Sequence, residues 1–194
     1  MKKIYLISPN KLDKKFFNYL PKVLATKKVK FLQIRCKNLS KKLIISKVKK
    51  IVPITKKYKI NLIINDHADI GYYFKCGFHL GQDDLKKNLN KKYLERKNFF
   101  GITCHNSLSL AKKALIYKPN YLAFGAFYET KTKIVKFVAQ PTLIKKAKKM
   151  FVIPIVAVGG INATNYKILL KMGAKYIAVS GFVWENKNLS PVEA

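Results

Sequence analysis

Acidic residues, arginines and cysteines are all scarce in this chain of 194 residues. Only nine aspartates and glutamates stand against forty lysines and arginines, which gives a formal net charge of +31. Arginine contributes just Arg35 and Arg96 to that excess. Proteins that read bases or hold nucleic-acid phosphates rely on the planar arginine fork, whereas here lysines are scattered over nearly every polar helix face. We therefore attribute the charge to a lysine-rich genome and expect no specific nucleic acid partner. A non-enzymatic RNA-binding protein is the alternative from a different functional class.

The sequence also lacks an apolar run of the ~20 residues that a membrane span needs, so we expect no membrane partner. The apolar stretch after Met1 is cut by Pro9 and is too short for the core of a secretory signal. The three cysteines, Cys36, Cys76 and Cys104, lie far apart and form no CxxC pair. Reduced thiols in a cytoplasmic protein are the simplest interpretation of that spacing.

Short apolar, β-branched runs recur along the chain, with lysine-faced helical segments between them. Apolar residues make up 49% of the sequence, and its length suits one domain, which we place at residues 1–194. Continuous apolar strands that alternate with helices are typical of a parallel sheet covered on both faces. Eight such units predict a single (β/α)8 TIM barrel, with an open doubly wound sheet as the weaker alternative. The predicted strands are 3–8, 29–35, 61–65, 77–80, 99–104, 121–125, 153–159 and 175–181.

The end of the chain carries a helix-start pattern with little sequence after it. Ser190 suits the N-cap, Pro191 the first helical position and Glu193 the closing position of a capping box. Since the sequence stops at Ala194, we expect a barrel that lacks a full final helix, either through truncation or because that helix is unusually short.

Polar side chains follow seven of the eight predicted strands. In a β/α barrel the carboxyl ends of the strands meet at one face, and active sites are built there from the loops that lead into the helices. We therefore expect these groups to converge on one site. They are Gln33 to Lys37, Asn65 and Asp66, Gly81 to Asp84, Thr103 to His105, Gly125 with Thr130 to Lys133, Gly159 to Asn162, and Ser180 with Gly181.

Four of the nine acidic residues are aspartates between positions 66 and 84. Asp66 and Asp84 close adjacent strands, and each has an amide side chain nearby. They suit Mg²⁺, which takes one or two protein carboxylates together with waters and substrate phosphate oxygens. The alternative for Asp66 is charge complementation of a helix N-terminus, and we prefer that explanation for Asp69. Asp83 is expected to have no role in the site.

Basic groups for a phosphorylated ligand are predicted at two strand ends. A bidentate grip on phosphate explains an arginine at position 35. A salt bridge between Arg35 and Asp66 explains it equally well on charge grounds. Lys37 and Lys133 are weak signals individually, because lysine is so abundant in this sequence.

The glycine pair Gly159-Gly160 precedes a predicted helix. Its unobstructed backbone N–H groups and the helix dipole are expected to attract a phosphate. Together with Ser180-Gly181 it matches the phosphate sites that follow the seventh and eighth strands of such barrels. A tight turn would use the same glycines, and only their position favours the phosphate.

Three histidine positions are given structural roles. An activated thiol at Cys104-His105 is disfavoured, because adjacent residues after a strand point in different directions. His79, inside "GFHLG", is predicted to be a semi-buried, hydrogen-bonded barrel residue rather than a ligand. His67 is predicted to lie at a helix start.

Taken together, these motifs resemble the thiamine phosphate synthase family over nearly the whole chain, from "YLISP" to "AVSGFVW". The family pattern occurs in order: Gln-x-Arg-x-Lys at 33–37, Asn-Asp at 65–66, His-x-Gly-Gln-x-Asp at 79–84, Gly-x-Ser/Thr-x-His at 101–105, Thr-x-Thr-Lys at 130–133, Gly-Gly-Ile at 159–161 and Val-Ser at 179–180. The combination is specific, although each piece is not. The resemblance implies a Mg²⁺-dependent transferase that joins 4-amino-5-hydroxymethyl-2-methylpyrimidine diphosphate to a thiazole phosphate and releases pyrophosphate, through a pyrimidine carbocation.

The resemblance also implies roles for individual residues. The implied magnesium ligands are Asp66 and Asp84, and the implied catalytic groups are Arg35, Lys37, Lys133 and Thr103. Contacts to the pyrimidine diphosphate are implied for Gln33, Ile34, Arg35, Cys36, Lys37, Asn65, Thr103 and Lys133. Contacts to the thiazole phosphate are implied for Thr130, Lys131, Thr132, Gly160, Val179 and Ser180. The implied partners are small phosphorylated substrates, and the sequence leaves a homo-oligomer open.

Three positions depart from the family pattern. Glu129 stands where proline usually precedes the first threonine, which puts a negative charge near the thiazole phosphate. Thr103 replaces the commoner serine and keeps the hydroxyl. His67 follows Asp66 where arginine is common, which removes a fixed positive charge.

A related barrel, the thiazole tautomerase, is the alternative enzyme. It shares the fold, a histidine matching His105 and a Glu-Thr pair resembling Glu129-Thr130. It is disfavoured because it does not need the Asn-Asp and Gln-x-Asp motifs, which are intact in this sequence.

Overall fold

The computed structural model describes residues 3–86, 91–95, 98–130 and 137–194 of the chain. Its strands are β1 (Ile4–Ile7), β2 (Val29–Ile34), β3 (Asn61–Asn65), β4 (Gly77–Leu80), β5 (Phe100–Thr103), β6 (Tyr121–Phe124), β7 (Ile155–Val158) and β8 (Tyr176–Val179). All are parallel, each pairs with the next in sequence, and β8 pairs with β1 to close the barrel. The predicted (β/α)8 barrel is confirmed, and the open doubly wound sheet is wrong.

Helices lie between the strands and cover the barrel. They are α1 (Lys14–Ala25), α2 (Lys41–Lys57), α3 (Ala68–Tyr73), α4 (Gln82–Lys86), α5 (Leu108–Ala114), α6 (Thr142–Met150), α7 (Tyr166–Lys171) and α8 (Gly181–Trp184), with short 3-10 helices at Lys91–Leu94 and Leu115–Tyr117. Asp13 caps α1 by accepting a hydrogen bond from the Phe16 N–H at 2.9 Å, and Ser40 caps α2 in the same way. Among the described helices, none has the length and apolarity that a membrane crossing requires.

Two apolar layers surround and fill the barrel. One lies between strands and helices, where Leu6 and Ile102 are completely buried. The other fills the barrel interior and is rich in aromatic rings, including Tyr5, Phe31 and Tyr121. Gly101 in β5 makes room for this filling, since a Cβ there would lie 2.0 Å from the Tyr121 ring. The interior is therefore a packed core, and ligands are restricted to its ends.

The last helical element is short, as expected from the sequence. Helix α8 follows β8 directly, and its Trp184 indole donates a hydrogen bond to the Ile7 carbonyl at 2.8 Å. One of the two hydrogen bonds of the capping box predicted at Ser190 is also present: the Ser190 N–H donates to the Glu193 carboxylate at 2.8 Å. Residues 191–193 form a single turn there.

Candidate active site

The polar residues predicted from the strand ends converge on one face of the barrel. Because all eight strands are parallel, their carboxyl ends share that face, which we call the mouth. The mouth comprises the described residues 33–37, 65–66, 81–84, 103, 125–130, 159–162 and 179–181. Three predicted site residues, Lys131, Thr132 and Lys133, lie outside the described residues, so their roles stay predictions.

Ser8 joins the carboxyl ends of three strands. Its backbone N–H donates to the Gln33 carbonyl at 2.8 Å, and its hydroxyl oxygen accepts from the Arg35 N–H at 3.0 Å. The Ser180 hydroxyl donates to the Ser8 carbonyl at 3.3 Å. The backbone that carries Arg35 and Ser180 is thereby fixed. Sequence reasoning missed Ser8, although its place directly after a strand is the signal that identified the other residues of the mouth.

Asp66 and Asp84 come together at the mouth from neighbouring strands. Asp66 has a left-handed backbone, with φ of 64°, and its N–H donates to the His79 carbonyl at 2.9 Å. Asp84 lies in the first turn of α4, and its carboxylate accepts from the Gly81 N–H at 2.9 Å. The two side chains are within hydrogen-bonding reach of each other. Their predicted proximity is confirmed.

The charges around this carboxylate pair are of both signs. Burial raises the pKa of Asp66, and the nearby Asp84 carboxylate raises it further. The positive charges of Arg35 and Lys37 lower the same pKa and offset part of the increase. Burial lowers the pKa of Arg35, and Asp66 partly restores it. Two acids and two bases thus face one another across a small region of the mouth.

The carboxylate pair suits a magnesium site better than a metal site in which the protein supplies every ligand. Two carboxylates in contact repel unless a proton or a cation lies between them. Within the described part of the chain, no group of three or more histidine, cysteine, aspartate or glutamate side chains is arranged to hold a metal. A structural zinc site takes four protein ligands, whereas Mg²⁺ keeps waters and accepts substrate phosphate oxygens. Mg²⁺ binding by Asp66 and Asp84 stays a prediction that this donor set supports.

Removing one of these charges should stabilise the protein when no metal is present. We expect Asp66→Asn to raise Tm by about 1–2 °C in EDTA at neutral pH, because Asp66 is exposed at the mouth and solvent screens much of the repulsion that is relieved. Asparagine tolerates the left-handed backbone of Asp66, so the change adds no strain. Thermal unfolding followed by circular dichroism measures the shift.

The same comparison has a defined pH dependence. Because the pKa of Asp66 is raised in the folded protein, its charged form costs stability above that pKa, and the cost disappears as protonation neutralises it. The Tm advantage of Asp66→Asn should therefore shrink on acidification. Asp83→Asn, at an exposed position of the same short helix as Asp84, is the control and should give no comparable increase. An advantage that grows as the pH falls would contradict this account.

His79 is buried beneath the mouth, and both of its ring nitrogens are hydrogen-bonded. Its Nε2 lies 2.7 Å from the Thr103 hydroxyl, and its Nδ1 lies 2.9 Å from the Tyr121 hydroxyl. Burial lowers the pKa of His79 to about 3, so the ring is neutral. Gln82 from α4 donates to the Thr103 carbonyl and holds the same strand end. The predicted role of His79 as a hydrogen-bonded barrel residue is confirmed.

Two tyrosines in the barrel interior extend the hydrogen bonding of His79. The Tyr5 and Tyr121 hydroxyls lie 2.7 Å apart, and the Gln33 amide nitrogen donates to the Tyr5 hydroxyl at 3.0 Å. Burial raises the pKa values of both tyrosines, which stay protonated. Sequence reasoning missed both residues, because an aromatic residue in an apolar strand carries no signal of a polar network.

Several predicted side chains turn away from the mouth. Ile34 and Cys36 are buried in the layer between strands and helices, so any ligand contact from these two residues would come from their backbone. Cys104 is fully buried, and burial raises the pKa of its thiol to about 12. His105 packs instead on Phe137, with ring centroids 4.6 Å apart. The two members of the disfavoured thiol pair lie in different environments, as predicted.

The loops after β6 and β7 lie directly on each other. The Tyr128 N–H donates to the Gly159 carbonyl at 3.1 Å, which continues the strand pairing into the mouth. A Cβ at Gly160 would lie 2.2 Å from the Glu129 carbonyl, and its φ of 62° is left-handed. Only glycine suits that position. The close approach brings Gly160 beside the segment that leads to Thr130.

A turn separates the glycine pair from the helix that was predicted to follow it. Helix α7 starts only at Tyr166, because the side chains of Asn162 and Asn165 build a turn before it. The Asn162 side-chain oxygen accepts from the Thr164 N–H at 2.9 Å, and the Asn165 side-chain oxygen accepts from the Asn162 N–H at 2.9 Å. These N–H groups are therefore used within the turn. The predicted helix does follow, but this turn separates its N-terminus from Gly159-Gly160, and binding of a phosphate there stays a prediction.

The other two aspartates of the cluster have structural positions. Asp69 lies in the first turn of α3, and its carboxylate pairs with Lys41 at 2.5 Å. His67 occupies the N-cap position of the same helix. Asp83 is exposed on α4. The helix-start interpretation of Asp69 and His67 is confirmed.

Comparisons with known sequences agree in the family that they indicate. The chain matches the thiamine monophosphate synthase family over residues 4–183. A thiamine-phosphate synthase from Pelagibacter ubique (strain HTCC1062) is 47% identical over 196 residues, which cover 98% of this chain and 93% of that protein. A thiamine-phosphate synthase from Erythrobacter litoralis (strain HTCC2594) is 33% identical over 196 residues, covering 98% and 92%.

Solved structures share the barrel. The thiamine phosphate pyrophosphorylase from Pyrococcus furiosus superposes with a TM-score of 0.80 at 23% identity, covering 99% of this chain and 93% of that one. An orotidine 5'-phosphate decarboxylase from Pyrococcus horikoshii OT3 superposes with a TM-score of 0.65 at 12% identity, covering 97% and 94%. At these identities the structures show the fold alone, and the sequence matches are more specific. This chain belongs to the thiamine monophosphate synthase family.

Proposed function

We propose that this protein is a transferase that joins 4-amino-5-hydroxymethyl-2-methylpyrimidine diphosphate to a thiazole phosphate, giving thiamine phosphate and pyrophosphate. The observation that carries the proposal is the contact between Asp66 and Asp84 at the mouth, with the charges of Arg35 and Lys37 acting on it. A diphosphate bound to a divalent cation matches this arrangement, because the two carboxylates suit the cation and the two basic side chains suit the phosphate oxygens. Membership of the family supports the identity of the two substrates.

We assign the diphosphate to residues that follow β2 and β3. Arg35 is half-buried, and its backbone is fixed by Ser8, so its fork is presented from a rigid strand end. Arginine stays protonated in proteins and binds phosphate oxygens in pairs. Lys37 is exposed beside it and adds a second positive charge. Asp66 and Asp84 would hold Mg²⁺, which when bound neutralises charge on the diphosphate oxygens.

The chemistry requires charge stabilisation rather than a protein nucleophile. The bond between the pyrimidine methylene carbon and the diphosphate oxygen breaks, and both electrons leave with the pyrophosphate. The electron-rich aminopyrimidine supports the resulting carbocation, and the thiazole nitrogen lone pair then forms the new carbon–nitrogen bond. Arg35 and Lys37, with the predicted Lys133, stabilise the negative charge that develops on the departing group. The buried thiol of Cys104 and the neutral ring of His79 are consistent with a reaction that needs no activated base.

The thiazole phosphate is assigned to the opposite side of the mouth. Gly160, Val179 and Ser180 follow β7 and β8 there, and Thr130 approaches from the loop after β6. The Ser180 hydroxyl is oriented by its hydrogen bond to the Ser8 carbonyl. This arrangement supports a phosphate held by backbone N–H groups and hydroxyls.

A side chain at Gly160 should impair use of the thiazole phosphate in particular. Gly160→Ala would place a methyl group against the Glu129 carbonyl in a left-handed backbone, which should displace the two loops. We expect KM for the thiazole phosphate to rise at least about tenfold, the effect of roughly 1.4 kcal/mol, with a much smaller change for the pyrimidine diphosphate. Steady-state kinetics with each substrate varied in turn measures the difference.

The matched control for that variant is Gly173→Ala. Gly173 also has a left-handed backbone, with φ of 107°, but it precedes β8 at the opposite end of the barrel and faces only the flexible Lys148 side chain. It should lose stability without a selective change in either KM. An equal rise in both KM values for Gly160→Ala would place the effect in the fold rather than in the thiazole phosphate site.

The assay that tests the proposed function is pyrophosphate release by the purified protein. Release should require both substrates and Mg²⁺. A protein that releases none, yet isomerises a carboxythiazole phosphate, would be a thiazole tautomerase. A protein that does neither, and binds RNA in a strongly salt-dependent manner that survives Asp66→Asn and Asp84→Asn, would be the RNA-binding alternative.

A further inference from the structure

A line of hydrogen bonds crosses the inside of the barrel and ends at the mouth. We call it the core chain, and its members in order are Gln33, Tyr5, Tyr121, His79 and Thr103, with successive polar atoms 3.0, 2.7, 2.9 and 2.7 Å apart. Both ends of the core chain belong to residues predicted to contact the pyrimidine diphosphate. The three residues between them have no role in the proposed function.

Packing holds the middle of the core chain in place. The His79 and Tyr121 rings stack, with centroids 5.6 Å apart and planes 15° from parallel. Tyr5 lies against Phe31 at 5.4 Å. Gly101 contributes no side chain, and the Tyr121 ring occupies the space that a Cβ would fill. The hydroxyl and imidazole groups are therefore preorganised, and the hydrogen bonds that they make among the described residues run to their neighbours in the core chain.

The direction of the core chain can be worked out from its first link. The Gln33 amide nitrogen donates to the Tyr5 oxygen, and an amide nitrogen is never an acceptor. Tyr5 must then donate its own proton to Tyr121, and Tyr121 must donate to His79 Nδ1. A neutral imidazole carries one proton, which is left on Nε2 and is donated to the Thr103 hydroxyl oxygen.

The opposite direction leaves a buried proton without an acceptor. If Thr103 donated to His79, the Tyr5 oxygen would receive protons from both Gln33 and Tyr121, and its own hydroxyl proton would have no partner. Burying an orphaned donor is costly. The forward direction is the one that keeps every donor in the core chain satisfied.

We propose that the core chain is polarised from Gln33 to Thr103, holds His79 as the Nε2–H tautomer, and makes the Thr103 hydroxyl a hydrogen-bond donor to the substrate at the mouth. Its acceptor is an oxygen or a ring nitrogen of the bound substrate, and only the identity of that substrate rests on the proposed function. His79 and Tyr121 are positioning residues, since they act through Thr103. The Thr103 hydroxyl proton is thereby directed away from His79 and can be donated toward the mouth.

The tautomer of His79 tests the proposal without any substrate. The chain has three histidines, His67, His79 and His105, so NMR of the ¹⁵N-histidine-labelled protein gives few signals, and His67→Gln and His105→Gln assign them. We expect a protonated Nε2 and an unprotonated Nδ1 on His79. A proton on Nδ1 would overturn the proposal, whatever the outcome of the pyrophosphate assay, so the two failures are distinguishable.

A double-mutant cycle tests whether the core chain acts through Thr103. Thr103→Val removes the hydroxyl at constant shape and should lower kcat about 10- to 100-fold, as expected for a lost hydrogen bond that matters in the transition state. Tyr121→Phe should lower kcat about tenfold alone, because it disconnects His79 Nδ1, and should add almost nothing in the Thr103→Val background. Effects that multiply in the double variant would overturn the proposal. If Tyr121→Phe does not fold, the tautomer measurement on the unaltered protein still decides.

Discussion

Asp66→Asn and Asp84→Asn should each lower kcat by about 10³-fold or more while leaving the protein folded. Each change removes one of two carboxylates that face each other at the mouth and that are assigned to Mg²⁺. Without the ion, charge on the departing pyrophosphate must be neutralised by basic side chains alone, and metal stabilisation of such charge is worth several kcal/mol. Asparagine keeps the side-chain shape and can still accept the Gly81 N–H bond made by Asp84. Pyrophosphate release over a range of Mg²⁺ concentrations measures the loss.

The control for both variants lies one residue away from Asp84. Asp83→Asn changes the same formal charge on the same short helix, at an exposed side chain that is not assigned to the metal. It should turn over like the unaltered protein. Higher Mg²⁺ should recover part of the activity of Asp66→Asn or Asp84→Asn, because one carboxylate remains. Normal activity of either variant at low Mg²⁺ would remove the carboxylate pair from the mechanism.

Arg35→Ala should lower kcat/KM for the pyrimidine diphosphate by about 10²–10³-fold. Its guanidinium is half-buried at the mouth, and its positive charge reaches the carboxylate pair. Preorganised donors aimed at developing charge contribute on that scale. The substitution should not disturb the strand end, because the bond to Ser8 is made by the Arg35 backbone N–H. Steady-state kinetics with the thiazole phosphate saturating isolates the effect.

Two further variants show whether the diphosphate is bound by the bidentate guanidinium of Arg35 or attracted by positive charge alone. Lys49→Ala removes one positive charge from an exposed face of α2 and should change kcat/KM little. Arg35→Lys keeps the charge but loses the bidentate geometry, so its kcat/KM should fall between that of the unaltered protein and that of Arg35→Ala. Equal losses in Lys49→Ala and Arg35→Ala would show that overall charge, and no specific grip, attracts the substrate.

The sequence was informative wherever a strand ended. Continuous apolar runs indicate the eight strands, and their expected parallel order predicts that Asp66 and Asp84 lie on adjacent strand ends, as they do. The sense in which a side chain points is harder to predict after the last strand residue, because regular alternation stops there. Up to that point alternation is a guide: Gln33 points into the barrel, so Ile34, the last residue of β2, turns into the layer beneath the helices, and Cys36 two residues later does the same.

Other features depended on contacts between distant parts of the chain. Tyr5 and Tyr121 read as ordinary core aromatics, and only barrel closure brings their hydroxyls together across 116 positions. The turn before α7 is built by the Asn162 and Asn165 side chains, which compete with the helix for backbone N–H groups.

The lysine excess has a simple relation to the proposed activity. A net charge of +31 creates a positive field around the whole molecule. Such a field attracts small phosphorylated substrates without selecting among them, and it would attract polyanions equally. Selection must therefore come from the mouth, where acidic residues are concentrated in a chain that has only nine of them.

A crystal structure of the protein with Mg²⁺ and pyrophosphate tests the central claim most directly. We expect Mg²⁺ between the Asp66 and Asp84 carboxylates, with pyrophosphate oxygens completing its coordination and reaching the Arg35 guanidinium. Pyrophosphate bound instead among the lysines of the outer helices, with Asp66 and Asp84 contacting neither ion, would contradict it.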